Sequence, residues 1–101
     1  MKNIESYEHF KKVIASEKPI VVKFGAPWCA PCKAIEPNLQ EVANTTDIEV
    51  YKLNIDDISE PAEDYGVMGI PATFVFANSQ PLNKLVGIPT AEQIIALTKG
   101  V

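Results

Sequence analysis

The sequence predicts an α/β chain with a central mixed β-sheet of four to five strands flanked by four helices. Three observations lead there. Helical and strand periods alternate along the chain. The alternation ends in two consecutive strands with a turn between them, which adds an antiparallel pair to the sheet. Two strand runs are apolar on both alternating faces, so helices must cover the sheet from both sides.

The elements follow in order. Lys2–Ile4 is a short first strand. Residues 5–15 form a helix capped by Ser6, with Glu8 in its first turn and Tyr7, Phe10, Val13 and Ile14 on one apolar face. His9 falls on the polar side of that helix and reads as a solvated surface residue. Pro19 opens the strand Ile20–Gly25, apolar on both faces apart from Lys23. From Ala30 to Asn44 the period turns helical, with Ile35, Leu39, Val42 and Ala43 on one side. Pro31 is tolerated in its first turn, whereas Pro37 lies inside and should kink it.

Ile48–Ile55 is a second two-faced strand, ended by Asn54, Asp56 and Asp57. Ser59-Glu60-Pro61 starts a short helix that Gly66 closes. Ala72–Ala77 and Leu82–Val86 are partner strands, with turn chemistry in Asn78-Ser79-Gln80-Pro81. Thr90-Ala91-Glu92-Gln93 is a capping box that opens a last helix, with Ile94, Ile95 and Leu97 inward. There are no repeats, linkers or low-complexity segments.

Composition narrows the function. A length of 101 residues suits one domain over 1–101, large enough for a core without staples. The net charge is −4 and all nine basic residues are lysines. Without arginine, the usual bidentate reader of phosphate and guanine, direct nucleic-acid recognition is not expected. The lysines form no polybasic patch and no apolar run approaches a membrane span, so no membrane association is expected either. The N-terminal residues lack an apolar signal region, which makes a reducing cytoplasm the expected compartment.

Both cysteines and the only tryptophan fall in Ala26-Pro27-Trp28-Cys29-Ala30-Pro31-Cys32, at the junction of a strand and a helix. Two thiols at this spacing close into a disulfide and reopen. A helix N-terminus, with unpaired N–H groups and partial positive charge, stabilises a thiolate there. A structural zinc site would need Cys29, Cys32, His9 and a carboxylate from distant segments, so no metal is expected. A permanent structural disulfide would close a tiny loop and restrict the unfolded chain little. Dithiol–disulfide exchange is the favoured reading.

The element order, with the cysteine pair after the first long strand, resembles the thioredoxin family over nearly the whole chain. The family signature Trp-Cys-Gly-Pro-Cys-Lys stands here as Trp28-Cys29-Ala30-Pro31-Cys32-Lys33. Pro37, Lys52-Leu53-Asn54-Ile55-Asp56, Tyr65-Gly66-Val67, Gly69-Ile70-Pro71 and Val86-Gly87 match as well. The resemblance implies a thioredoxin fold and a protein-disulfide reductase that needs no cofactor of its own. Cys29 would be the attacking thiolate and Cys32 the resolving thiol, an assignment that accessibility at the helix start also favours. Ile70-Pro71 would be a cis-proline loop facing the pair, with the Ile70 backbone free to pair with an extended substrate. Trp28, Ala30, Pro31, Gly69, Ile70, Pro71, Val86, Gly87 and Ile88 would form the substrate contact surface, although Trp28 and Val86 also fit as core. Expected partners are protein disulfides and a thioredoxin reductase, usually an NADPH-dependent flavoprotein, and the expected state is a monomer.

Three positions depart from the family. Ala30 replaces a glycine and Ala72 a threonine, both close to the thiols, whose surroundings set thiolate stability and potential. Lys23 stands where the family has a buried Asp that assists proton transfer at the resolving cysteine. Its stem could be buried while the ammonium reaches water. Otherwise it joins the catalytic set, either as a cation that lowers thiol pKa or as a neutral base for Cys32. Lys52, often the partner of that Asp, would need another, for which Asp56 and Asp57 are the nearest in sequence.

Overall fold

A computed structural model of the protein describes residues 1–99. The strands are β1 (Lys2–Asn3), β2 (Ile20–Gly25), β3 (Glu49–Asn54), β4 (Ala72–Ala77) and β5 (Gln80–Val86). They form one sheet in the order β1-β3-β2-β4-β5. β3 runs parallel to both β1 and β2, while β4 is antiparallel to β2 and β5. The helices are α1 (Tyr7–Ile14), α2 (Ala30–Ala34), α3 (Glu36–Thr45), α4 (Glu60–Asp64) and α5 (Ala91–Lys99).

The alternation in β2 decides which helix covers which face. Ile20, Val22 and Phe24 join Leu53, Phe74 and Phe76 in a core with Phe10 and Ile14 of α1, and Ala62 of α4 packs against it. Val21 points the other way, into a core with Val50, Val75, Leu39 and Val42 of α3, and Ile94 of α5. By the same parity Lys23 lies on the α3 face of the sheet, where the rest of the strand dictates a buried side chain. Lys23 is 3% exposed.

The long helix expected over residues 30–44 is two helices, so the described chain has five helices rather than four. Their junction is Ile35, not Pro37. Pro37 has no N–H to continue an earlier helix, but in the first turn of a new one that N–H is not needed. The break therefore falls just before the proline's own turn and places Glu36 at the start of α3.

The hairpin is tighter than expected, because β5 starts at Gln80. Its turn is Asn78-Ser79 alone, with φ of 52° and 65° at the two residues. Positive φ at both positions matches the twist of a two-residue hairpin. Pro81 lies within β5 opposite Phe76, next to a register irregularity and on an edge strand, where a missing N–H is tolerated. The caps match expectation. Ser6 Oγ accepts from His9 N at 3.0 Å, and Thr90 and Gln93 form their reciprocal pair. His9 is half-buried and meets the Tyr51 ring edge-on, instead of lying fully in solvent.

Ser79 holds a backbone conformation that glycine adopts at less cost. Ser79→Gly should raise stability by about 0.5–1 kcal/mol, read as a higher urea midpoint with an unchanged slope.

Candidate functional site

Cys29 is the N-cap of α2, and its Sγ accepts the N–H of Cys32 at 3.2 Å. Pro31 sits in the first turn, where its missing donor has no cost. The two cysteines are joined as a disulfide, with Cα atoms 5.2 Å apart. Both are largely covered, Cys29 at 6% exposure and Cys32 at 1%. Cys32 is packed against Gly25 at the end of β2. A Cβ on Gly25 would stand 3.1 Å from Cys32 Sγ and 3.0 Å from Lys23 Cε. The absence of a side chain at position 25 therefore lets the sulfur and the lysine stem share one space.

The second wall comes from the loop before β4. The Ile70–Pro71 bond is cis, and the Ile70 carbonyl oxygen lies 3.9 Å from Cys29 Sγ. Gly87 donates its N–H to the Pro71 carbonyl at 3.0 Å and takes a φ of 105°, which fastens the end of β5 to this loop. Gly69 approaches Val86 closely enough that a Cβ would stand 3.4 Å from its Cγ1. Cys29, Ile70, Pro71, Gly69, Val86 and Gly87 are thus drawn together from three separate stretches.

Apolar side chains are left open around this point. Trp28 is 70% exposed, Val86 62% and Ile88 51%, so neither Trp28 nor Val86 is core. Ala30, Pro31 and Gly69 are exposed as well, while Ile70 is half-buried and Pro71 buried. Met68 is 99% exposed and was not expected as part of the surface. The Trp28 ring is held by a hydrogen bond from Nε1 to Asp56 Oδ2 at 2.9 Å. Asp56, read from the sequence as a strand terminator, fixes the tryptophan instead.

Beneath the disulfide lies an ion cluster. Lys23 and Lys52 are directly opposite each other on neighbouring strands, and Thr73 faces Lys23 from the other side. Like charges in that register repel. Glu36 resolves the conflict: its Oε2 accepts from Lys23 Nζ at 3.2 Å and its Oε1 lies 3.5 Å from Lys52 Nζ. Lys23 Nζ also donates to the Cys32 carbonyl at 3.3 Å. The ammonium is therefore paired inside the protein and does not extend to water. Lys52 finds its partner in Glu36, not in Asp56 or Asp57. Partial burial alone would raise the Glu36 carboxyl, but the hydrogen bond and charge of Lys23, with Lys52 behind, hold it below the ordinary carboxylate range. An open cleft of about 320 Å³ reaches this cluster, with Lys33 and Asp57 also on its wall.

The Thioredoxin family model matches residues 2–99. The chain belongs to the thioredoxin family. A probable thioredoxin-2 of Caenorhabditis elegans is 39% identical over 95 residues, covering 91% of this chain and 66% of that protein. Thioredoxin-1 of Schizosaccharomyces pombe is 34% identical over 93 residues, covering 91% of this chain and 90% of its own length. The solved thioredoxin of Malassezia sympodialis superposes with a TM-score of 0.89 at 31% identity, covering 98% of this chain and 89% of that one. This thioredoxin is an oxidoreductase built for dithiol–disulfide exchange with protein disulfides, and its exchange pair is Cys29–Cys32. Its family works with a thioredoxin reductase.

Against the family pattern, the lysine that replaces the buried acid is matched by an acid on the neighbouring helix. Sequence reading missed Glu36 because it seeks partners by proximity in sequence, and Glu36 reaches Lys23 only through the break before α3. Among the described residues, no group of three or more His, Cys, Asp and Glu side chains stands together as a metal site. No described helix is long and apolar enough to cross a membrane.

Glu36→Gln should destabilise this thioredoxin by about 2 kcal/mol at neutral pH, less than for a fully buried pair because the Glu36 side chain is 36% exposed. The folded carboxyl is held below its ordinary value. Its contribution is therefore complete above the unfolded-state value and is lost as pH falls through the folded one. Urea unfolding of parent and variant should converge in acid and diverge toward neutrality.

Proposed function

We propose that this chain is a small monomeric thioredoxin of a reducing, cytoplasmic compartment, acting as one domain. In this reading Cys29 attacks and Cys32 resolves. The carrying observation is the unequal placement of the two sulfurs. Cys29 lies at the N-cap of α2 beside the Ile70 carbonyl, with the apolar rim around it. Cys32 is turned toward Gly25 and Lys23, out of reach of a folded substrate. The Cys29 thiolate attacks one sulfur of a protein disulfide and releases the other as a thiolate. Cys32 then attacks Cys29, freeing the second substrate sulfur and leaving the pair oxidised.

Recognition in this reading is by backbone and apolar contact. An extended substrate segment would pair with the Ile70 backbone, in the manner of a short added strand. Trp28, Val86 and Ile88 would cover its flanks, with Ala30, Pro31, Gly69, Pro71 and Gly87 allowing close approach. Met68 joins this rim on its exposure. Large open apolar side chains in one place favour such a contact role over solvation alone. The oxidised pair would be re-reduced by the family's reductase, an NADPH-dependent flavoprotein, which supplies the two electrons.

Cys32→Ser should accumulate a mixed disulfide through Cys29 when offered insulin, visible as a mass adduct that a reductant removes. Cys29→Ser should form none and lose insulin reduction. A Cys29 adduct that turns over without Cys32, or an adduct formed only by Cys32, would reverse the assignment. If the Cys29→Ser/Cys32→Ser double variant keeps full biological activity, the chain serves as a binding scaffold instead.

A further inference from the structure

The exchange cycle needs Cys32 as a thiolate at the moment it resolves the mixed disulfide, yet Cys32 is only 1% exposed. Lys23 borders it, its Cε sharing with Cys32 Sγ the space beside Gly25. A neutral amine could accept the thiol proton. The contacts of Lys23 are those of an ammonium: Nζ donates to the Cys32 carbonyl at 3.3 Å and to Glu36 Oε2 at 3.2 Å. An ammonium has donors only. Glu36 is a poor base as well, being held anionic between two lysines.

We propose that Lys23, paired with Glu36, is a positioning residue that makes Cys32 a thiolate by its field rather than by taking its proton. This rests on the assignment of Cys32 as the resolving thiol. The charges facing the site come from every element around it: Lys23 on β2, Lys52 on β3, Lys33 on α2, Glu36 on α3 and Asp57 after β3. Thr73 on β4 adds a buried hydroxyl without a hydrogen-bond partner and no charge. Three cations stand against two anions, and Lys23, whose stem borders Cys32, is the most deeply buried of the three, where screening by water is weakest.

The step then runs as follows. The Cys32 thiol loses its proton to solvent under the field of the Lys23 ammonium. The thiolate electron pair forms the Cys29–Cys32 bond. The bond between Cys29 and the substrate sulfur breaks, its electron pair leaves on that sulfur, and the substrate thiolate takes a proton from water. No protein base is consumed in this step.

The test is a thiol titration of the reduced protein, following thiolate ultraviolet absorbance and assigning each cysteine by its Cβ resonance. Lys23→Met should raise the Cys32 pKa by one unit or more, and Lys23→Arg should leave it near the parent value. Resolution of a mixed disulfide on Cys29 should slow at least about threefold at neutral pH. A tenfold loss of thiolate is partly offset by the greater nucleophilicity of a more basic thiol. In Lys23→Met/Glu36→Gln the rise should persist. An unchanged Cys32 pKa in Lys23→Met, or a rise that disappears in the double variant, would overturn the proposal, the second by tracing the effect to an unpaired Glu36. The titration needs no turnover. Loss of insulin reduction by the parent would therefore remove the exchange reading while leaving the Lys23 result to stand separately.

Discussion

Two lysines facing each other across neighbouring strands set the terms for the active end of this molecule. Lys23 and Lys52 are in register on the α3 face of the sheet, and one of them is almost wholly buried. A buried ammonium without a partner costs several kcal/mol, on the order of the desolvation penalty for a single ion. The pair is tolerated because Glu36 meets both nitrogens. Glu36 reaches them because the chain breaks at Ile35 and restarts as α3. Before the break, Cys29 caps α2 and Cys32 lies against Gly25. The ion cluster follows from this discontinuity, and the proline at 37 is its local cause.

Around that discontinuity the sheet supplies fixed points from far along the chain. β2 ends at the cysteine loop, the cis Ile70–Pro71 bond precedes β4, and Gly87 ties the end of β5 back to Pro71. The central strands are buried on both faces, by α1 and α4 on one side and α3 and α5 on the other. The loops at their ends therefore have a rigid base. The rim of Trp28, Met68, Val86 and Ile88 is exposed, and Asp56 holds the Trp28 ring by a hydrogen bond.

Most of this was legible from local chemistry. The strand runs, the Ser6 and Thr90 caps and the cysteine pair all announce themselves through spacing and residue type within a few positions. The cis Ile70–Pro71 bond was readable through family resemblance. What stayed hidden depends on register. Lys23 could be seen as an anomaly in an apolar strand, but its partner lies on another element and becomes apparent only when β2, β3 and α3 are assembled. The link from Trp28 to Asp56 and the exposure of Met68 were hidden for the same reason. The hairpin was misjudged by two residues because Pro81 reads as a turn residue, whereas on an edge strand it continues the sheet.

An acid at this position, as the family resemblance would lead one to expect, would oppose thiolate formation at Cys32. Here a cation occupies the site, with its counter-ion one helix away. Such a charge favours the anionic, reduced pair over the disulfide, and so draws the pair toward a more oxidising potential while leaving the exchange chemistry intact. The reduction potential of Cys29–Cys32, equilibrated against glutathione at neutral pH in the parent and in Lys23→Met, tests this most directly. The account predicts a less negative potential in the parent than in the variant. An equal or more negative value in the parent would contradict it.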